Sequence, residues 1–105
     1  MPGIDLNYFI RQANKLTEKL ESRKQELANE TVEGKSGDGL VTVTATCSQD
    51  IRGIKIDPRA IDPNDPAMLE DLVTAAVNAA LAQSKSRMQA ELGLISGGVK
   101  IPGIT

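Results

Sequence analysis

The sequence has no histidine, no tryptophan, one cysteine and only two aromatic residues among its 105 residues. Histidine is the commonest general base and the usual side chain that titrates near neutral pH, so its absence removes the ordinary basis for acid–base catalysis. The lone cysteine, Cys47, excludes an intramolecular disulfide and a cysteine-rich zinc site. We therefore predict no catalytic residues, no metal ion and no cofactor, and we do not expect an enzyme.

A long apolar run is also missing. The most apolar stretch, residues 72–82, is interrupted by Thr74 and Asn78 and is too short to cross a bilayer. The first residues do not combine a basic region with an apolar one, as a secretory signal would. We therefore expect a cytoplasmic protein without membrane insertion.

The glycines do not predict a nucleotide site. Gly34, Gly37 and Gly39 are not followed by a helix that begins with Lys-Ser or Lys-Thr, which a phosphate-binding loop requires. They are more typical of turns, and we expect no small-molecule substrate.

The spacing of the apolar residues changes along the chain. Leu6, Ala13, Leu20 and Leu27 recur every seven residues, with Phe9 and Leu16 between them, and this seam predicts a helix over residues 6–29. Alternation of apolar and polar residues then predicts three strands. Their expected ranges are 30–35, 40–47 and 51–57, with turns at 36–39 and 49–50.

A second helix is predicted over residues 66–92. Asp65 followed by Pro66 is a favourable helix start, and Gly93 is the expected stop. The fold class is therefore α+β, in the order α-β-β-β-α, with a three-stranded antiparallel sheet and two long helices. We assign residues 1–92 to a single domain and residues 93–105 to a glycine-rich, flexible tail.

Apolar residues nearly surround the second helix between residues 72 and 82. Such a helix must be buried on more than one side, which a single thin sheet and one other helix can hardly achieve in a chain this short. One interpretation is a homodimer interface on this helix, and the other is a deeply buried helix of a monomer. The candidate interface residues are Leu72, Val73, Ala76, Ala79 and Ala80.

The net charge is −2, which by itself does not favour nucleic acid as a partner. The charges are nevertheless segregated. Acidic residues cluster between residues 57 and 71, whereas the early first helix and the late second helix are basic. If the two helices pack antiparallel, the basic regions lie at one end, where lysine and arginine can neutralise phosphates. The alternative is that these are ordinary solvated side chains paired with glutamates on the same helix.

Three blocks of the sequence, in order and correctly spaced, carry a resemblance to a known family. They read GKSGDGLVTV at residues 34–43, IKIDP at 54–58 and MLEDLVTAA at 68–76, and the ending SGGVKIPG at 96–103 adds to them. The chain resembles the YbaB/EbfC family of bacterial nucleoid-associated proteins. The resemblance implies an intertwined homodimer whose helices project like tweezers and bind duplex DNA through basic residues. On this chain the matching candidates are Arg11, Lys15, Lys19, Lys85 and Arg87.

The predicted function is therefore that of a nucleoid-associated protein. A homodimer would grip double-stranded DNA mainly through its phosphates and take part in chromosome organisation or gene regulation. The alternative is a protein-interaction module that docks a replication, repair or membrane-targeting partner. In that case the helix seam, the acidic end and the glycine-rich tail would form the docking surface.

Overall fold

The computed structural model describes residues 5–97 of the chain. Its three strands form one antiparallel sheet in the order β1-β2-β3. This arrangement confirms the predicted α-β-β-β-α order. The elements are α1 (Leu6–Leu27), β1 (Thr31–Ser36), β2 (Val41–Thr46), β3 (Ile51–Ile56), a short 3-10 helix (Pro58–Ala60) and α2 (Pro66–Ser96).

Both helices begin where the sequence predicted. The Asp5 carboxylate accepts hydrogen bonds from the backbone N–H groups of Asn7 and Tyr8, and Asp65 accepts one from the N–H of Met68. These bonds satisfy donors that the first helical turn leaves without partners. Pro66 occupies the first turn of α2, where its missing N–H costs nothing.

The predicted end of the second helix is wrong. α2 continues through Gly93 to Ser96, and Gly97 caps it in the left-handed conformation with φ of 65°. Residues 93–96 of the predicted tail are thus helical, because Leu92 and Ile95 pack against α1 and outweigh the weak helix propensity of one glycine. The predicted flexibility of residues 98–105 lies outside the described residues.

The main core lies between the sheet and α2. Val41, Val43 and Ala45 point from β2 towards the helix and are fully buried. They meet Ala76 and Ala80 of α2, which are also fully buried. Opposite these alanines stands Gly34 of β1, where an added Cβ would meet the backbone of Ala76 and Ala80. The absence of a side chain at Gly34 therefore lets α2 lie directly on the strand.

A second, smaller core lies between the helices, which run antiparallel. Leu20 and Leu27 of α1 pack with Leu92 of α2 and with Cys47, which is 1% exposed. Cys47 is therefore a core residue, as its alternation with Val41, Val43 and Ala45 indicates. Burial raises the pKa of its thiol, so it is a poor nucleophile.

A buried hydroxyl joins α2 to the sheet. Ser84 Oγ donates to the carbonyl of Thr46 at 2.6 Å and accepts from the N–H of Gln49 at 3.1 Å. Ser84 is completely buried, and these partners satisfy it. The bonds fix the β2–β3 turn, in which Gln49 has a φ of 68°, against the middle of α2.

Candidate nucleic-acid interface

Three of the five predicted DNA contacts lie on the exposed part of α1. Arg11, Lys15 and Lys19 follow one another at intervals of four residues and so share one face of the helix. All three are exposed. Within residues 5–97 none of them forms an ion pair with a carboxylate. Their charges therefore remain available to an external anion.

Lys15 and Lys19 line a cavity of about 460 Å³ between the helices. Ile95, near the end of α2, forms part of the wall, and Glu18 and Glu26 also reach it. Glu26 is already engaged by Arg23 at 2.8 Å. The arrangement provides a concave basic edge rather than a closed pocket.

Lys85 lies apart from this edge. It lines a different cavity, also of about 460 Å³, together with Lys24 and the Ser48–Gln49 turn. The structure thus brings Lys85 together with Lys24, which the sequence did not single out because it lies among glutamates. Lys24 does have an acidic neighbour, since its Nζ is 3.6 Å from a carboxylate oxygen of Glu21.

Arg87, the fifth predicted contact, belongs to an ion-pair network where the helices leave the sheet. Arg87 binds Glu30 at 2.8 Å and Glu91 at 3.1 Å. Arg23 binds the same two carboxylates, Glu30 at 2.6 Å and Glu91 at 3.1 Å. The network therefore joins α1, α2 and the chain just before β1. Arg23 occupies the position of the α1 seam between Leu20 and Leu27, and the network explains why an arginine can stand there.

The network also affects the ionisation of its members. Hydrogen bonds from Arg87 and then Arg23 lower the pKa of Glu91 below its ordinary value. Hydrogen bonds to Glu30 and Glu26 raise the pKa of Arg23. The charged forms of Glu91 and Arg23 are thus stabilised by their partners, and the ion pairs hold the two helices together.

The acidic residues lie at the other end of the molecule, and several have local structural roles. Asp57 caps the 3-10 helix and pairs with Arg59 at 2.9 Å, and this side-chain bond lowers the pKa of Asp57. Asp62 accepts a hydrogen bond from the N–H of Asn64, and Asp65 caps α2. These carboxylates stabilise turns and helix starts, and they lie far along the chain from Arg11, Lys15 and Lys19.

The predicted dimer-interface residues fall into two groups. Ala76 and Ala80 are fully buried within the chain against β1, so a second copy has no access to them in this fold. They serve the protomer core, which is the alternative interpretation of the apolar helix. Leu72, Val73 and Ala79 are half-buried and keep some accessible surface.

An uncovered apolar surface lies instead on β3. α2 packs mainly on β1 and β2. Ile51, Ile54 and Ile56 pair with Ala45, Val43 and Val41, so they lie on the same face of the sheet as the core residues of β2. Ile51 and Ile54 are nevertheless 41% and 45% exposed. An exposed patch of this kind is typical of a protein–protein interaction surface.

Residues 5–97 are the part of the chain that the structure describes. Neither of its helices is long and apolar enough to span a membrane. Among the same residues, cysteine, aspartate and glutamate side chains do not form a cluster of three or more that would suit a metal ion.

The chain is similar to known proteins over nearly all of its length. The model of the YbaB/EbfC DNA-binding family matches residues 1–99. A nucleoid-associated protein of Myxococcus xanthus is 74% identical over 105 residues, which is the full length of both chains. A nucleoid-associated protein of Anaeromyxobacter dehalogenans is 46% identical over 101 residues, covering 96% of this chain and 98% of the relative.

The fold also occurs in a solved structure. The crystal structure of the uncharacterized protein HP0035 from Helicobacter pylori superposes with a TM-score of 0.77 at 14% sequence identity, covering 90% of this chain and 100% of that one. At this identity the likeness shows the fold alone. The full-length family match and the two close relatives identify the chain as a member of the YbaB/EbfC DNA-binding family, which is not a family of enzymes.

Proposed function

We propose that this protein is a nucleoid-associated homodimer that grips duplex DNA mainly through its phosphates and acts in chromosome organisation or gene regulation. The observation that carries the proposal is the state of Arg11, Lys15 and Lys19. They are exposed, they share a helix face, and no carboxylate of residues 5–97 pairs with them. Such side chains can exchange their counterions for DNA phosphates, which is the main source of affinity in non-specific binding.

The phosphate contacts that we propose are Arg11, Lys15 and Lys19 on α1 and Lys85 on α2. Lys24 joins this set because it lines the same cavity as Lys85. Arg87 is better explained as a structural residue, since Glu30 and Glu91 already hold its guanidinium. Removing Arg87 would therefore be expected to loosen the helices rather than to delete one phosphate contact.

The dimer that we propose uses the uncovered face of β3. Ile51 and Ile54 there are exposed beside Ile56, and Ile56 packs in the same cluster as Val73 and Val77 of α2. If the same face of a second protomer packs against it, the isoleucines of both protomers are removed from water. A two-fold axis makes such a contact self-complementary. The free surface of Val73 belongs to this interface. Whether Leu72 and Ala79 also contribute stays a prediction.

The experiment is fluorescence anisotropy of a labelled DNA duplex, titrated with protein at several salt concentrations. We expect log K to fall linearly with log salt, with a slope of roughly −0.9 for each phosphate neutralised. Reversing three charges, in Lys15→Glu, Lys19→Glu and Lys85→Glu together, should abolish most of the affinity and flatten this slope.

The matched control reverses three charges on the sheet, in Lys35→Glu, Arg52→Glu and Lys55→Glu. These residues are exposed, and the control changes the net charge by the same amount. It should keep a salt slope close to that of the unmodified protein. If both triple variants lose the same DNA affinity, affinity follows net charge alone. That outcome would contradict the proposed phosphate contacts on α1 and α2.

A further inference from the structure

The apolar seam of α1 is covered by α2 along only half of its length. Leu20, in the second half of the helix, is 8% exposed. Towards the N-terminus the same seam is bare, since Leu6 is 69% and Phe9 57% exposed. Ala13 within the seam and Ile10 beside it are exposed as well. We call these four exposed residues the bare seam, and an apolar patch of this kind is typical of an interaction surface.

α2 ends at the level where the bare seam begins. The two helices run antiparallel, with Glu91 of α2 bound to Arg23 of α1 at 3.1 Å. Further along α2, Ile95 shares a cavity with Lys19, and the helix then ends at its cap, Gly97. In the described part of the chain, the bare seam is therefore open to a second helix as far as about residue 16.

The bare seam is complementary to itself when two copies run antiparallel. Alternate seam positions of one helix then face the other kind of seam position on its partner. This places Leu6 opposite the partner's Leu16 and Phe9 opposite the partner's Ala13. A large side chain thus faces a small one in each of the two central layers, which fills the space between the helices. Ile10 lies beside the two-fold axis, opposite its own copy.

The charges that flank the seam select the same register. Asp5 and Lys19 occupy equivalent flanking positions two heptads apart, and the antiparallel pair brings Asp5 beside the partner's Lys19, twice by symmetry. Both hydrogen bonds that cap α1 go to Oδ1 of Asp5, so Oδ2 can accept a bond from a lysine. Lys19 is exposed and forms no ion pair within residues 5–97.

A parallel pair does not meet these conditions. It would place Phe9 opposite the partner's Phe9 and Ala13 opposite the partner's Ala13, and it would keep Asp5 about 21 Å from Lys19 along the axis. It would also bring the ends of both copies of α2 to the same level beside the seam. The antiparallel pair places those ends at opposite ends of the contact, where they do not compete.

We propose that the first half of α1 binds the same segment of a second copy as a short antiparallel helix pair, which buries the bare seam of both copies. The paired segment, residues 6–16, is about 15 Å long, so the contact is smaller than the interfaces of stable complexes and depends on protein concentration. Arg11 and Lys15 lie at outer positions of this pair and remain exposed.

This contact and the proposed β3 contact use different surfaces, so one protomer can form both, and together they would join dimers into larger assemblies. The inference does not rest on the proposed DNA binding and is tested without DNA.

Cysteine crosslinking tests the register and also detects a weak contact. One protein carries Phe9→Cys and a second carries Ala13→Cys, and equal amounts are mixed and oxidised. We expect a disulfide between positions 9 and 13, identified by mass spectrometry of the digested product. Its yield should be several times that of the 9–9 or 13–13 disulfide formed by either protein alone. Cys47 is 1% exposed, and the unmodified protein serves as the blank.

Three control variants sharpen the result. Arg11→Cys lies at the level of the two-fold axis but on the outer face, so it should give little crosslink. Lys19→Asp, added to both crosslinking proteins, should lower the 9–13 yield by roughly three- to tenfold, because two exposed ion pairs become like-charge contacts. Lys15→Asp makes the same change of charge at an outer position and should leave the yield unchanged. An equal loss with Lys15→Asp and Lys19→Asp would contradict the register.

Three further outcomes would overturn the proposal. The first is a 9–13 yield no higher than that of the Arg11→Cys control at the highest protein concentration that stays in solution. The second is a predominance of 9–9 and 13–13 disulfides, which would indicate another orientation. The third is a 9–13 disulfide that forms only when the chain is ended after Gly97, because residues of the same chain would then be the occupant of the bare seam.

Discussion

At the scale of single residues, the smallest side chains determine where α2 lies. Ala76 and Ala80 approach Gly34 so closely that even a methyl group at Gly34 would meet helix backbone. In the sequence these alanines allowed two interpretations, contact with a second copy or burial in the core of one chain, because small residues permit close approach of any neighbour. The neighbour is a strand of the same chain. The sequence pattern detected the close contact but did not identify the partner.

Gly34→Ala should destabilise the protein by about 1–3 kcal/mol, because the added Cβ overlaps backbone that cannot move aside without shifting the helix. Urea unfolding followed by circular dichroism measures the change in the free energy of unfolding. Gly53→Ala is the control, since a Cβ at Gly53 of β3 meets nothing within 4 Å. A loss at Gly53 as large as that at Gly34 would contradict the close approach of α2 to β1.

At the scale of elements, the end of α2 and the register of β3 both depend on contacts that are distant in sequence. A glycine at residue 93 is a reasonable stop signal by local propensity, which disfavours it by only about 1 kcal/mol relative to alanine. Packing of Leu92 and Ile95 against α1 is enough to carry the helix past it. The left-handed φ that typically ends a helix is found at Gly97.

The two glycines should therefore respond oppositely to alanine. Gly93→Ala should stabilise the protein by about 0.5–1 kcal/mol, because position 93 is helical and a Cβ there meets nothing within 4 Å. Gly97→Ala should destabilise it by about 1–2 kcal/mol, because alanine is strained at positive φ. Thermal unfolding of both variants measures the difference. A lower melting temperature for Gly93→Ala than for the unmodified protein would argue against a helix that continues through this residue.

The register of β3 is shifted by one residue between Ile51 and Gly53. Without the shift, Ile51 and Ile54 would point to opposite faces, because strand side chains alternate with a period of two. The bulge leaves Arg52 without a partner across the ladder and brings Ile51 to the face of Ile54 and Ile56. The sequence predicted that Ile54 and Ile56 point inward. Ile51 points to the same face only because of the bulge.

At the scale of the whole molecule, the described chain is long and thin. It measures 77 × 19 × 16 Å, and its radius of gyration is 20.0 Å. A compact domain of about 100 residues would have a radius of gyration of about 13 Å. The protomer therefore has little interior. The contact between α1 and the second half of α2 is stabilised mainly by one small apolar cluster and by the network of Arg23, Glu30, Arg87 and Glu91. A partner that covers more of its surface is consistent with this shape.

We expect Ile54→Asp to convert the proposed dimer to monomer, because a carboxylate on the uncovered face of β3 would be buried without a partner. Sedimentation equilibrium gives the mass. Lys55→Asp is the matched control, since it places the same side chain at the neighbouring position, on the opposite face of the sheet. If Ile54→Asp leaves a dimeric mass unchanged, the interface must lie elsewhere; if the unmodified protein is a monomer, the homodimer itself is excluded.

DNA affinity should depend on formation of the dimer. The Ile54→Asp monomer keeps all of its basic residues, yet it presents one set of the proposed phosphate contacts where the dimer presents two. We therefore expect its salt slope to fall along with its affinity, because fewer phosphates are neutralised at once.

The sequence by itself determined the order of elements, the helix starts and the separation of charge. These properties are local, since Asp5 and Asp65 cap their own helices and the alternation in β2 already shows its buried face. Comparison with the family then supports the inference from sequence that the protein binds DNA. The individual DNA contacts and the dimer interface stay predictions.

Only the tertiary structure decided which charges are free and which apolar surfaces are covered. Arg87 and Lys85 look equivalent in the sequence, but packing places Arg87 between Glu30 and Glu91 and leaves Lys85 in an open cavity beside Lys24. The sequence of α1 gives both halves of its apolar seam the same spacing, yet α2 covers only the second half. The physical reason is the same in each case. Burial and ion pairing depend on partners far along the chain, and no local pattern encodes the distance to them.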